Sequence, residues 1–339
     1  MYRAALKQLT GLLLLSWTLS SCSQQDYIIE QSLLDFGTVI EITLIVDHPK
    51  TAENILLEIE TRLASYRQQW HAWEDSDLTR FNAQLVQSKA VQIPQSLEPL
   101  LLLSKQYHQK TLGLFNPAMG KLIAAYGFHD RPANLESIAR YRSHIPTMGD
   151  LKIEDRRARA MHPDLQIDLG GIAKGYAVGL LSDYLDQAGI TDYIVNAGGD
   201  LQTSGSKRGK PWRLGIQNPF APGAIAEIEL KGRYSLFTSG NYRRSYYQGS
   251  RRVHHIINPE NGSASKGQSS ATVLANNPVL ADVAATALMI DGWQRHRQLA
   301  QSLPVSDYLI VGEGREIILS RALADKLNLL VDWPITLVD

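Results

Sequence analysis

Residues 166–200 read QIDLGGIAKGYAVGLLSDYLDQAGITDYIVNAGGD. Their reading decides the fold. Residues 166–169 predict a short strand that runs into the pair Gly170-Gly171. Residues 172–187 predict an amphipathic helix: Ile172, Tyr176, Leu180 and Tyr184 recur at i+4 steps, and Gly189 ends it. After it the apolar period drops toward two. Strands are predicted at 193–196, 212–217, 226–230, 235–238, 254–257 and 271–275. Upstream, 38–46 (TVIEITLIV) alternates and is β-branched, so it predicts a strand. Residues 52–66 predict a helix, with Ile55, Leu56, Ile59 and Leu63 at helical spacing. Residues 97–112 predict another, broken by Gly113. Pro278 opens a helix at an N1-like position that runs to about Ile290. The tail predicts strands at 307–311 and 316–319 and a short helix between Arg321 and Leu327. Strands outnumber helices and do not alternate with them. That pattern predicts an α+β domain with a mostly antiparallel sheet and packed helices, not a doubly wound fold. The stretch 218–223 is the best candidate for a loop, and no linker divides the chain.

The first residues predict export. Residues 1–22 read MYRAALKQLTGLLLLSWTLSSC, with Arg3 and Lys7 ahead of an apolar stretch from Leu9 to Leu19. That stretch is too short to span a bilayer comfortably. Leu19-Ser20-Ser21-Cys22 resembles the bacterial lipoprotein lipobox, whose Cys becomes the lipidated N-terminus. The expected organisation is a signal peptide at 1–21, a lipidated Cys22 with a short tether at 22–27, and one domain at 28–339. The 339 residues carry 34 basic and 34 acidic side chains, so loss of Arg3 and Lys7 leaves an excess of two acids. This balance lacks the basic footprint of a nucleic-acid binder. With a single Cys, a disulfide framework and a Cys-rich zinc site are both excluded.

Seven short stretches are candidates for chemistry. In IDLGGIAKGY, residues 167–176, glycines permit close backbone approach and the helix N-terminus offers free N–H groups. Lys174 adds a mobile charge, so the stretch suits a phosphate or diphosphate; its bland reading is a tight turn with an exposed Lys. In ADVAAT, Asp282 and Thr286 are i and i+4 on one face of an otherwise apolar helix. A carboxylate and a hydroxyl so aligned suit a hard cation such as Mg²⁺, although a Thr bonded back to its own helix would look the same. HHIINPENG, 254–262, places histidines at a strand end, where one could act as a general base. TSGNY (238–242), NAGGD (196–200), FNPAMG followed by Tyr126-Gly127-Phe128, and DSDLTRFN (75–82) complete the set. Trp70 and Trp73 precede the last of these, and aromatics near a phosphate site would suit a flavin or a nucleotide base.

In their order these stretches resemble the ApbE family, the FAD:protein FMN transferases. Phe36-Gly37-Thr38 looks like the family's MGT-type start, DSDLTRFN like its DSELSRFN element, and FNPAMG…YGF like FDPTVGPL…WGF. IDLGGIAKGYAV is similar to the family pattern throughout. The resemblance implies FAD as substrate, Mg²⁺ as cofactor, and transfer of FMN to a protein Thr or Ser with release of AMP. It implies a metal held by Asp282, Thr286 and the carbonyl of Gly171. It implies FAD contacts from Phe36, Trp73, Leu114, Phe115, Asn116, Asp168, Lys174 and Ile256. It implies His255 as the base for the acceptor hydroxyl, with Lys174 and Asp282 also catalytic. The chain departs from the family at His71-Ala72-Trp73, at Asn116 and Asn258 in place of Asp, and at Phe36 in place of Met. Asn keeps acceptor capacity and loses charge.

Three functions share these residues: a Mg²⁺-dependent transferase, a Mg²⁺-dependent FAD pyrophosphatase with water in place of Thr, and a non-catalytic flavin-binding lipoprotein. The first is the expectation, because a passive binder has no need of a metal-and-base arrangement. Expected partners are exported acceptors in redox complexes of the quinone-reductase or Rnf type. The expected location is the periplasmic side of a bacterial membrane through the lipid anchor, the inner membrane being favoured by those acceptors.

Overall fold

The computed structural model describes residues 26–87, 90–128, 132–248 and 251–339; the leader and Cys22 lie outside them. A nine-stranded sheet organises the chain: β1 (Tyr27–Asp35), β2 (Thr38–Val46), β3 (Tyr193–Ala197), β4 (Asp200–Ser204), β5 (Tyr234–Gly240), β6 (Gln268–Ala275), β7 (Asp307–Gly312), β8 (Ile317–Ser320) and β9 (Ile335–Val338). Their order across the sheet is their order along the chain. Every neighbouring pair is antiparallel except β8 with β9. The predicted α+β class with a mostly antiparallel sheet is what forms.

Eight helices occur among the described residues: α1 (Pro49–Trp70), α2 (Asp77–Gln87), α3 (Glu98–Lys110), α4 (Gly120–Ala125), α5 (Leu135–Arg142), α6 (Ala173–Gln187), α7 (Pro278–Ser302) and α8 (Arg321–Ala324). None is long and apolar enough to cross a membrane. The first six fall between β2 and β3, and α7 falls between β6 and β7. Toward β7 and β8 the sheet is covered on both faces, and those strands are buried throughout, whereas β2 alternates buried with exposed residues. Along β7, Tyr308 and Ile310 join one core with Ile40, Ile42, Val195, Phe237 and the helices. Leu309 and Val311 point to the other, where Leu214, Ile216, Ile225 and Ile228 of a smaller sheet cover them. That smaller sheet is the hairpin Trp212–Gln217/Ala224–Leu230 with Leu327–Leu329 at its edge. Its turn contains the expected loop at 218–223.

Four elements differ from the reading of the sequence. The strand expected at 254–257 is broken at His255 and Ile256, between strands Arg251–His254 and Ile257–Asn258. Residues 166–169 are extended but belong to no sheet; one parallel bridge joins Gln166 to Met119. Tyr27, placed in the tether, already begins a nine-residue strand paired along its whole length with β2. The helix after Pro278 does not stop near Ile290: it kinks at Asp291, where φ is −151°, and continues to Ser302.

The sheet places two turns and two strand ends together at one end. The β1–β2 turn (Phe36-Gly37) and the β3–β4 turn (Gly198-Gly199) are neighbours, since Ile40 faces Ala197 and the Gly198 N–H bonds the Val39 carbonyl at 2.9 Å. The C-terminal end of β5 and the N-terminal end of β6 lie at the same edge, Gly240 opposite Ser270.

Candidate active site

The segment 166–169 is held straight by two of the other motifs. The buried amide of Asn82, on α2, brackets Ile167: its Nδ2 donates to the Ile167 carbonyl at 2.9 Å and its Oδ1 accepts the Ile167 N–H at 2.8 Å. The other side bonds FNPAMG, with Asp168 N–H to the Pro117 carbonyl at 2.8 Å and Gln166 N–H to that of Ala118 at 3.2 Å. The Asp168 carboxylate accepts the Gly170 N–H at 2.8 Å, shaping the glycine turn into α6.

Helix α6 then crosses α7 at close range. A Cβ on Gly175 would lie 2.6 Å from the Pro278 carbonyl oxygen and 2.8 Å from the Asp282 Cβ. No side chain fits there, so glycine sets the crossing. In that contact the Gly175 N–H, free at a helix start, donates to Asp282 Oδ2 at 2.8 Å. One turn along α7, Thr286 Oγ1 meets Ser239 Oγ of β5 at 3.1 Å. Gly171 lies between the Phe115 ring and Thr286, within 3.2 and 3.7 Å of a would-be Cβ. Asp282 and Thr286 thus share the face that the i, i+4 spacing suggested, and Gly171, which only the resemblance had added, lies beside Thr286.

Lys174 forms an ion pair with Asp200, the first residue of β4, whose side chain is 2% exposed. The other carboxylate oxygen accepts the Thr238 N–H at 2.9 Å. Burial pushes the Lys174 amine below its ordinary range; Asp282 opposes the shift, and Arg243 and Arg244 add to it. Burial pushes the Asp282 carboxyl up, against Lys174 and the Gly175 N–H. It also pushes Asp168 up, opposed by the Gly170 N–H, Arg244 and His71.

His255 is half-buried, and its Nδ1 lies 3.2 Å from the Arg244 carbonyl. Burial chiefly lowers its pKa to about 3; the positive charges of Arg244 and Lys174 add to this, so the ring is neutral near pH 7. Phe128 packs edge-on to it at 6.3 Å. Tyr126 secures the following turn by donating to the Gly262 carbonyl at 2.7 Å. The neighbouring His254 is 4% exposed and committed to the Ser265 carbonyl at 2.9 Å, which leaves His255 as the histidine with an accessible ring.

The remaining candidates divide. Phe36 lies at the β1–β2 turn with φ +49°, its ring 6.4 Å from Trp70, which stacks on Tyr66 and meets Tyr176 edge-on. Trp70 carries these contacts of Phe36, and the half-buried Trp73 lies in the bend after α1, its backbone N–H donating to His71 Nδ1 at 3.2 Å. Leu114 and Ile256 are buried core side chains. Asn116 is buried, with Nδ2 on the Pro146 carbonyl at 2.8 Å and Oδ1 on the Ala118 N–H at 3.3 Å. Its amide thus pins the FNPAMG loop. Three residues of the site escaped the sequence reading. Asp200 appeared only as the end of a glycine-rich stretch, and Arg243 and Arg244 follow TSGNY directly.

The chain has known relatives. A model of the ApbE family matches residues 36–310. A Rhodobacter capsulatus protein named FAD:protein FMN transferase is 31% identical over 319 residues, which is 92% of this chain and 61% of that relative. One of the same name from Vibrio cholerae is 31% identical over 268 residues, 76% of this chain and 78% of the relative. Among solved structures, the flavin transferase ApbE from Vibrio cholerae superposes with a TM-score of 0.77 at 27% identity, covering 89% of this chain and 100% of that one. The ApbE protein of Thermotoga maritima gives 0.77 at 26% identity, with 88% and 99% covered.

Proposed function

The chain belongs to the ApbE family, and from that membership we propose that it transfers FMN from FAD to a Thr or Ser hydroxyl of an exported acceptor protein, with release of AMP. The observation that carries the reading is the convergence of Gly171, Asp282 and Thr286 beside Lys174 at the start of α6. In the reaction the acceptor Oγ attacks the phosphorus on the FMN side of the diphosphate. The P–O bond to AMP breaks, and the hydroxyl proton goes to His255, whose neutral ring can take it.

Mg²⁺ fits the donor set on chemical grounds. A carboxylate, a hydroxyl and a carbonyl are hard oxygen ligands. Among the described residues no cluster of three or more His, Cys, Asp or Glu side chains could hold a metal. A site with one carboxylate suits an ion that takes its other ligands from substrate phosphates and water, as Mg²⁺ does. Asp282, Thr286 and the Gly171 carbonyl would hold it, and when bound it would neutralise charge on the diphosphate. Lys174, kept in place by Asp200, contributes a second positive charge to the same oxygens. Phe115, packed on Gly171, keeps water from the inner side.

Anchoring at Cys22 on the periplasmic side, with acceptors in membrane redox complexes, completes the proposal; the LSSC sequence supports it. The test mixes the purified protein with FAD, Mg²⁺ and a Thr-containing acceptor domain, and follows AMP and flavin mass on the acceptor together. AMP with an FMN adduct supports transfer. AMP with free FMN across several acceptors means a pyrophosphatase, and tight FAD binding without AMP means a binding protein. Asp282→Ala should abolish Mg²⁺-dependent turnover; unchanged turnover would remove the metal assignment.

A further inference from the structure

We propose that Arg243 and Arg244 form a paired guanidinium clamp for the substrate diphosphate, each arm seated in a notch left by a glycine; the inference rests on the flavin-transfer reading. The two arginines follow the end of β5 and lie over the edge where the β1–β2 and β3–β4 turns meet. Arg243 Nη1 donates to the Gly198 carbonyl. Its Nη2 lies where a Cβ on Gly199 would be only 2.8 Å away. Arg244 Nη2 faces the Gly37 carbonyl at 3.5 Å and would be 2.4 Å from a Cβ on Gly37. Gly37 and Gly199 also have φ of +66° and +92°, the left-handed region. Each glycine therefore serves two ends: it makes the turn, and it leaves room for a guanidinium.

The partners of these arms are informative. Among the described residues neither arginine has a carboxylate within ion-pair distance, and their partners are neutral groups, the Gly198 and Gly37 carbonyls and, for Arg243, the Tyr242 hydroxyl. The field of both reaches Lys174, and that of Arg244 reaches Asp168 and His255. Two planar forks and an ammonium group thus bear on one site. Both arginines are exposed at this rim, and a guanidinium fork matches phosphate oxygens in bidentate geometry, so the group suits a polyanion. Lys174 is already tied to Asp200. The arginines are the cations with charge to spare. The clamp also gives a common purpose to three stretches that the sequence shows far apart: Phe36-Gly37, Gly198-Gly199 and the two residues after TSGNY.

The test compares binding of FAD and of riboflavin, which lacks phosphate, to the full-length wild-type protein and to Arg243→Gln, Arg244→Gln, Arg244→Lys and Gly37→Ala, each checked by thermal melt. Either Gln variant should weaken FAD about tenfold or more, as loss of a charged hydrogen bond implies. Riboflavin affinity should stay within twofold, and the salt dependence of FAD binding should flatten. Arg244→Lys should recover part of the loss, and Gly37→Ala should mimic Arg244→Gln with the arginine still present. Should Gly37→Ala fail to fold, the arginine variants decide alone. FAD binding unchanged in both Gln variants would overturn the clamp and leave the transferase reading standing. Equal loss of FAD and riboflavin would overturn it too, as a structural effect. A wild-type protein that binds no FAD would bring down both.

Discussion

Gly175 couples packing to chemistry in a single position. Its missing Cβ lets α6 reach α7, and its N–H holds the Asp282 carboxylate at 2.8 Å. Gly175→Ala must push Pro278 and Asp282 away, at a cost of about 1–3 kcal/mol from overpacking. The expected result is a lower melting temperature together with weaker Mg²⁺ dependence; a melt like the wild type would show that the crossing can relax. Residues of this kind were partly legible. Lys174, Asp282 and Thr286 stood out because their signals are local: a strand–glycine–helix run and an i, i+4 pair. Asp200 did not, because its partners Lys174 and Thr238 lie 26 and 38 residues away. Asn116 and Asn258 show why a lost charge is tolerated. Asn116 donates to a carbonyl, which an ionised Asp cannot do, and Asn258 serves its turn as an acceptor for the Glu260 N–H at 2.8 Å.

At the scale of the element, α7 matters most, since it carries Asp282 and Thr286. Its start is fixed by the Asn277 side chain, which accepts the Leu280 N–H at 2.9 Å, and by Pro278 in the first turn. Asn277→Ala should cost about 1 kcal/mol by removal of the cap. A urea titration would detect that loss as an earlier midpoint, and an unchanged midpoint would mean the cap is redundant with burial. The beginning of this helix could be read from Pro278 and its apolar run. The end could not, because beyond the Asp291 kink the exposed face turns polar while Leu299 stays buried. An Arg295–Asp291 ion pair at 2.6 Å spans the kink. The 166–169 segment misled for a related reason. Its extended backbone is satisfied by Asn82 and by residues 117–118, so it needs no sheet.

At the scale of the whole molecule, the sheet divides two cores that share strands such as β5, β6, β7 and β8. Leu309 is fully buried beneath the smaller sheet, while its neighbours Tyr308 and Ile310 face the helices. Leu309→Ala should cost about 2–5 kcal/mol, as cavities in close-packed cores do. Both cores should unfold together, so tryptophan fluorescence and circular dichroism should give one midpoint; two midpoints would mean separable layers. Acid acts on the fold in two opposite senses. Burial lowers the pKa values of His108, His254, His255 and His296. Below pH 6.5 the unfolded chain binds protons that these folded rings refuse, so stability falls as pH drops, for His255 down to about pH 3. The raised carboxyls of Asp35, Asp168 and Asp282 act in the other sense: their contribution is full below about pH 3.8 and is lost as pH rises. The two senses oppose each other, so the histidine share is read by substitution: the change in urea midpoint from pH 7 to pH 5 should be less unfavourable in His296→Gln than in the wild type. The same change in both proteins would show that this ring is not held neutral. The sequential order of the sheet was not legible beforehand, because α1–α6 interrupt it between β2 and β3.

Strand β1 runs its nine residues from Tyr27 to Asp35 before delivering Phe36 and Gly37 to the site end of the sheet. At about 3.4 Å per residue that is a strut of about 30 Å. A chain held by lipid at Cys22 would therefore stand its reactive end off from the bilayer by up to that length, on a leash of only a few residues. Its reach would select acceptors by height: hydroxyls on domains that rise a few nanometres above the membrane would be served, and those lying flush with the headgroups would be passed over. Inserting a flexible spacer after Cys22 should widen that range, which flavin labelling of acceptors with stalks of graded length would measure.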